Sequence, residues 1–210
     1  MRDIKHAVVA MDFSTLLVFK FPYALAFWGV LAWVYTMESI EHKRKSARMA
    51  AHSGDDRYSG LVIAVGASVL QVLAFMLATQ TQWAVPADVQ APMLYAGVAT
   101  IAAGMLLRMY CWRVLGNFFT PTVTIASDHK VVDQGPYRFV RHPSYLGALM
   151  TLAGVGLALH NWMALCVLMV GSFGIYVYRI EVEEQALERA LGDTYAQFKK
   201  SRKRLIPFVY

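Results

Sequence analysis

The feature that most constrains this chain is a series of long apolar runs, approximately Leu16–Met37, Gly60–Gln80, Pro92–Leu115, Ser144–Leu159 and Trp162–Tyr178. About 20 apolar residues in a helix cross a hydrocarbon core of about 30 Å. A segment inside a bilayer must satisfy its own backbone hydrogen bonds, which leaves helices or a closed barrel. Barrel strands alternate apolar and polar residues. These runs do not alternate, so the barrel is excluded. Only 16% of the 210 residues are charged, against about 25% in a soluble domain. The expectation is an all-α polytopic membrane protein, one domain over residues 1–210, with five transmembrane helices in one bundle. The last two runs are short and joined only by His160-Asn161, which predicts a tight antiparallel hairpin.

Charge sets the expected orientation. Of the 20 Lys and Arg, all but Arg2, Lys5 and Lys20 fall in three segments: Glu38–Ser59, Arg108–Arg141 and the tail from Arg179. Basic loops stay on the cytoplasmic side. Both basic loops and the C-terminus are therefore placed in the cytoplasm and the N-terminus outside. Alternation over five spans requires the same pattern. The net charge of +6 is read as cytoplasmic loops in contact with anionic lipid, not as a nucleic-acid surface. The same reasoning gives the Lys199–Arg204 run to the lipid surface. Cys111 and Cys166 form neither a CxxC pair nor a metal spacing and are read as packing residues, so no metal is expected. No cleavable signal peptide is read. Gly154-Val155-Gly156 is read as a small-residue stripe for close helix packing.

The densest polar stretch is Gly135-Pro136-Tyr137-Arg138-Phe139-Val140-Arg141-His142-Pro143-Ser144-Tyr145-Leu146-Gly147. Ionisable residues are costly beside a membrane, and such clusters mark function. Upstream, Lys130–Asp133 reads as a short extended piece running into a Gly-Pro turn. Pro143 suits the first position of the fourth helix. His142 and Tyr145, three apart, face the same side. Downstream, Arg179–Lys200 reads as an amphipathic helix leaving the membrane, stopped at Gly192, with a short helical piece from Asp193. Arg179 and Glu183, four apart, share a face. Alone they read as an ion pair of little worth; after the RHPSY run they read as part of a ligand site.

The run GPYRFVRHPSYLG, with RIEVEEQALERALGDTYAQF some 30 residues later and a basic stretch before Pro207, resembles the isoprenylcysteine carboxyl methyltransferase family. That family belongs to a wider group of membrane methyltransferases that includes the phospholipid N-methyltransferases. The resemblance covers about Arg108 to Pro207. It implies an enzyme that binds S-adenosylmethionine without a Rossmann domain, and this chain shows no Gly-rich strand–turn–helix fingerprint. Carried over by position, the cofactor contacts are Thr122, His129, Lys130, Val131, Val132, Tyr137, His142, Pro143, Ser144, Tyr145, Glu183 and Glu184. Which of the two glutamates touches the cofactor is left open. Arg179 would face the substrate near the transferred methyl group, with Arg108 as second candidate.

The residue types suit that chemistry. A carboxylate substrate is already a nucleophile and needs positioning, which an Arg fork provides. Aromatic faces suit adenine or a sulfonium. The expected partner is a lipophilic, lipid-linked acceptor entering sideways from the bilayer, with an isoprenylcysteine carboxylate as the implied substrate. Phospholipid N-methylation is the nearest alternative and needs a proton acceptor. An NADPH-dependent membrane reductase and a non-enzymatic lipid-binding or transport protein are the others. Localisation follows as an integral multi-pass membrane protein, in the inner membrane of a bacterium or the endoplasmic reticulum of a eukaryote.

Overall fold

The computed structural model describes residues 11–49, 58–116 and 131–206, and among them every regular element is helical. The helices are α1 (Tyr23–Met49), α2 (Tyr58–Ala78), α3 (Ala87–Leu115), α4 (Pro143–Ala158), α5 (Trp162–Leu191) and α6 (Asp193–Ser201). α2, α3 and α5 are each long and apolar enough to cross a membrane, while α4 is a shorter apolar helix of 16 residues. Only 11% of the apolar window of α2 is buried inside the protein. Its Leu61, Val65, Val69 and Val72 project outward, as in a helix solvated by lipid. The chain is an integral membrane protein.

Two boundaries differ from the sequence expectation. The first run does not begin as a helix at Leu16. Phe13–Thr15 and Leu17–Phe19 are single 3-10 turns, and α1 starts only at Tyr23. Pro22 explains this: it offers no backbone N–H, and it drives the residue before it out of the helical region. The second difference is that the fifth run and the charged segment after it are one unbroken helix of 30 residues. At 1.5 Å per residue that helix is about 45 Å long, well beyond the hydrocarbon core. It ends at Gly192, whose φ of 54° suits glycine, and α6 follows as expected.

The helices pack side by side in the order α1, α3, α4, α5, α2. The α3–α4 seam is the tightest. Gly97 and Gly104 on α3 meet Gly154 and Gly147 on α4, each pair seven residues apart along its helix. A Cβ added at Gly104 would lie 2.5 Å from the Gly147 carbonyl oxygen, and one at Gly154 would lie 2.6 Å from that of Gly97. Small residues here let two backbones touch, the usual way helices associate in lipid. Gly156 does the same against Leu165 of α5, across the hairpin. The small-residue reading of Gly154-Val155-Gly156 therefore agrees with the packing.

The hairpin turn is tied at its tip. The Asn161 side chain accepts from the backbone N–H groups of Met163 and Ala164, capping α5, and donates to the Gln80 carbonyl at 3.1 Å. His160 accepts from the Leu17 N–H at 3.2 Å through Nε2, while its carbonyl accepts from the Val85 N–H at 2.9 Å.

Candidate active site

At the opposite end of that hairpin the polar residues converge. Gly135–Arg138 form a 3-10 turn, with Gly135 at φ 56°. Pro143 opens α4 with His142 at its N-cap position. The C-terminal segment returns against this start: the Arg141 and His142 N–H groups donate to the carbonyls of Lys203 and Arg204, each at 2.9 Å. Leu205, 1% exposed, anchors the return in the core. The start of α4 is thus held from the turn before it and from the tail.

The two adjacent glutamates of α5 face different partners. Glu184 is 2% exposed and surrounded by basic side chains. His142 Nε2 lies 3.1 Å and Arg141 Nε 3.2 Å from its Oε1, and Arg204 lies 3.2 Å from its Oε2. A carboxylate so enclosed is a structural clamp between α5, the start of α4 and the tail. Glu183 instead accepts from the Tyr145 hydroxyl, which in turn accepts from Arg179 Nε at 3.2 Å. The His142 ring stacks on Tyr145 with centroids 5.5 Å apart, and Tyr176 packs against Tyr145 in a tilted arrangement at 5.2 Å. His142, Tyr145 and Tyr176 thus form an aromatic wall with Glu183 and Arg179 at its edge.

Several expected site residues are therefore brought together: Tyr137, His142, Pro143, Ser144, Tyr145, Arg179, Glu183 and Glu184. Tyr137, 6% exposed, packs against Cys111, and burial raises its phenol well above the usual range. Val131 and Val132 lie in the non-helical segment leading to the turn and are half-buried. Thr122, His129 and Lys130 lie outside the described residues. Arg204, placed on the lipid surface by the sequence reading, turns inward to Glu184.

Arg108 stands a short step away. Its Nε and Nη2 donate to the two carboxylate oxygens of Glu38, at 2.6 and 3.0 Å, and its Nη1 donates to the Ser144 carbonyl at 3.0 Å. Its guanidinium lies over Trp112, 5.2 Å from the ring centroid. Both Glu38 and Arg108 line a cavity of about 340 Å³ between α1 and α2, backed by α4 and α5. Leu31, Val34, Ile63, Leu152 and Val155 make its wall apolar, and Arg179 is not among its lining residues. A hydrogen bond from Tyr35 to Gln71, at 2.7 Å, joins α1 to α2 at this cavity. Glu38 and Arg204 escaped the sequence reading. Glu38 sits 70 residues from its partner in a run of apparently loop-bound charge, and no local spacing announces it.

This arrangement has relatives. The model of the isoprenylcysteine carboxyl methyltransferase family matches residues 97–189. Protein-S-isoprenylcysteine O-methyltransferase B of Arabidopsis thaliana is 30% identical over 115 residues, covering 54% of this chain and 58% of that protein. The protein-S-isoprenylcysteine O-methyltransferase of Schizosaccharomyces pombe is 30% identical over 111 residues, covering 52% and 47%. The chain thus matches about half the length of these relatives. The eukaryotic intramembrane Ras methyltransferase of the same family has a similar fold, with a TM-score of 0.62 at 21% identity, over 92% of this chain and 70% of that one. The resemblance carried by the RHPSY run and the paired glutamates is thereby borne out: residues 97–189, which hold most of α3 and α5 and all of α4, match the model of the isoprenylcysteine carboxyl methyltransferase family.

Proposed function

We propose that this chain is a single-domain membrane methyltransferase that uses S-adenosylmethionine to esterify the carboxylate of an isoprenylcysteine-like substrate. One observation carries the reading. The apolar cavity ends on Arg108, and Arg108 bonds to Ser144, the residue immediately before Tyr145 of the polar cluster. A lipid chain in the cavity would bring its polar end to that cluster.

The residues present suit the cofactor. Glu183 offers a carboxylate for an amino group or ribose hydroxyls, and His142 and Tyr145 offer stacked aromatic faces. The Tyr195 hydroxyl, in a residue 3% exposed beside both glutamates, is buried and has no hydrogen-bond partner among the described residues. It is a polar atom that a ligand could satisfy. Val131, Val132 and Tyr137 would flank the same space. S-Adenosylmethionine, when bound, supplies an electrophilic methyl group on a sulfonium. The chain's own part is to position: Glu183 orients Tyr145, and the Arg108 fork holds a carboxylate in line. Lining the cavity, Arg108 takes precedence over Arg179 as that fork; Arg179 steadies the Tyr145 hydroxyl. Glu184 acts by fixing His142. The lipid would enter between α1 and α2, with five helices crossing the bilayer, the N-terminus outside and the site cytoplasmic.

Calorimetric titration of the purified protein with S-adenosylmethionine tests the first step. Saturable binding is expected, weakened at least tenfold in Tyr145→Ala and Glu183→Ala. No binding by the wild type, or unchanged affinity in both variants, sinks the reading. A second reading, amine N-methylation, draws on the carboxylate of Glu38 at the cavity. Labelled product separates them, because methyl esters release methanol in base and N-methyl groups do not.

A further inference from the structure

The fork assigned above to a substrate carboxylate already holds one. Arg108 donates through Nε and Nη2 to both oxygens of Glu38, the bidentate geometry in which a guanidinium takes any carboxylate. Its remaining nitrogen, Nη1, is committed to Ser144. A second carboxylate has no place on Arg108 while Glu38 stays.

The pair is unequal in its exposure. The Arg108 side chain is 12% exposed and that of Glu38 is 36% exposed. Glu38 lies near the charged end of α1, where Glu41 and Arg44 follow on the helix. If the pair opens, Glu38 has room to turn away from the protein, and Arg108 does not. A buried guanidinium without an anion is strongly unfavourable, so the pair opens only when another anion arrives. Exchange of one carboxylate for another keeps Arg108 neutralised throughout. An amide or an amine offers no such exchange.

Resting on the carboxylate reading above, we propose that Glu38 is a specificity-determining residue: an internal competitor that occupies the Arg108 fork until a substrate carboxylate displaces it. A lipid with an apolar tail but a neutral head fills the cavity without taking the fork. Glu38 thereby makes a negative terminal group the condition for seating the head of the chain beside Ser144. It lies on α1, outside the family-matched residues 97–189, so it is a device of this chain's N-terminal half.

The test compares two probes, an S-prenylated N-acetylcysteine and its carboxamide, on the full chain in nanodiscs of neutral lipid with labelled cofactor. Glu38→Gln and Glu38→Ala are the variants, each checked by thermal melting; Gln keeps the shape should Ala fail to fold. Removing a competitor raises the fraction of competent sites. The KM for the carboxylate probe is expected to fall roughly five- to tenfold, while inhibition by the carboxamide stays within about twofold. A structural role for Glu38 would shift both probes together. If the wild type esterifies the carboxylate probe and the variants keep or raise its KM, the competitor role is overturned and the carboxylate reading stands. If the wild type gives no base-labile ester, the carboxylate reading fails and takes this inference with it. Base-stable labelled product from an amine lipid that vanishes in Glu38→Gln would give Glu38 to the amine chemistry instead.

Discussion

The α3–α4–α5 side of the bundle and the α1–α2 side are built on different principles. On the first, paired glycines bring two backbones into contact, and a buried carboxylate binds His142 and two arginines around one end. On the second, α1 and α2 face each other across an apolar cavity that a tyrosine–glutamine bond spans. The contrast teaches that rigidity and access are separated in space. The polar cluster needs its atoms fixed to a fraction of an ångström, and it stands where the packing leaves no slack. A lipophilic ligand needs a way in, and the cavity stands where two helices barely touch. Substitutions should therefore act on stability on one side and on ligand traffic on the other.

The strongest attempt to break this contrast is Gly104→Val. Its new atoms would meet the backbone of Gly147 and Thr151, which no side-chain rotation can relieve. A destabilisation of about 3 kcal/mol is expected from forced overpacking, read by thermal unfolding in detergent. Gly174→Ala is the control, because a Cβ there meets nothing within 4 Å among the described residues. Equal melting of the two variants would show that the α3–α4 seam is not the rigid part.

The adjacent glutamates sharpen the same contrast within one helix turn. Glu184→Gln leaves Arg141 and Arg204 with an uncharged partner in a buried site. A loss of about 2 kcal/mol of stability is expected, with cofactor affinity falling because His142 loses its anchor. Glu183→Gln is expected to cost under about 1 kcal/mol yet to weaken the calorimetric cofactor signal at least as much. If both variants moved melting and binding in the same proportion, the separate duties of the two carboxylates would be wrong.

Much of this was legible in the sequence because it is local. Helix type follows from apolar runs without alternation, the hairpin from a two-residue link, and the start of α4 from Pro143. The cluster of His142, Tyr145, Arg179 and Glu183 follows from two motifs flanking that hairpin. What escaped is long-range. The Glu38–Arg108 pair joins residues 70 apart, and the bond from Leu17 to His160 joins residues 143 apart. Arg204 looked like one more cation in a basic tail until the chain return beside Val140 turned it inward. Composition also hid the merging of the fifth span with the charged segment, since helical periodicity continues through a change from apolar to charged residues.

A milder perturbation acts where the two sides are pinned together, at the far tip of the hairpin. His160 is 3% exposed, and burial, with Lys20 nearby, lowers its pKa below the usual 6.5. Its Nε2 must stay unprotonated to accept from Leu17. The unfolded chain therefore takes up the proton first. Stability is full above about pH 6.5 and declines as pH falls toward the lowered folded value. Melting between pH 7.5 and 5.5 is expected to show a loss of about 1 kcal/mol at the acid end. His160→Asn removes the titration while tolerating the φ of 42° at this position. An identical acid slope in that variant would assign the effect elsewhere.

The smallest expected effect is Tyr35→Phe, and it is the most direct check on the loose side. The Tyr35 side chain is half exposed, and its bond to Gln71 joins α1 to α2 at the cavity. Losing it is expected to cost about 0.5 kcal/mol, while the exchange of a fluorescent lipid into the cavity speeds up. The two readouts must diverge for the comparison to hold. A melting loss as large as that of Gly104→Val would mean that α1 and α2 are braced as firmly as the glycine seam. Unchanged lipid exchange with a small melting loss would move the route of access away from the α1–α2 gap.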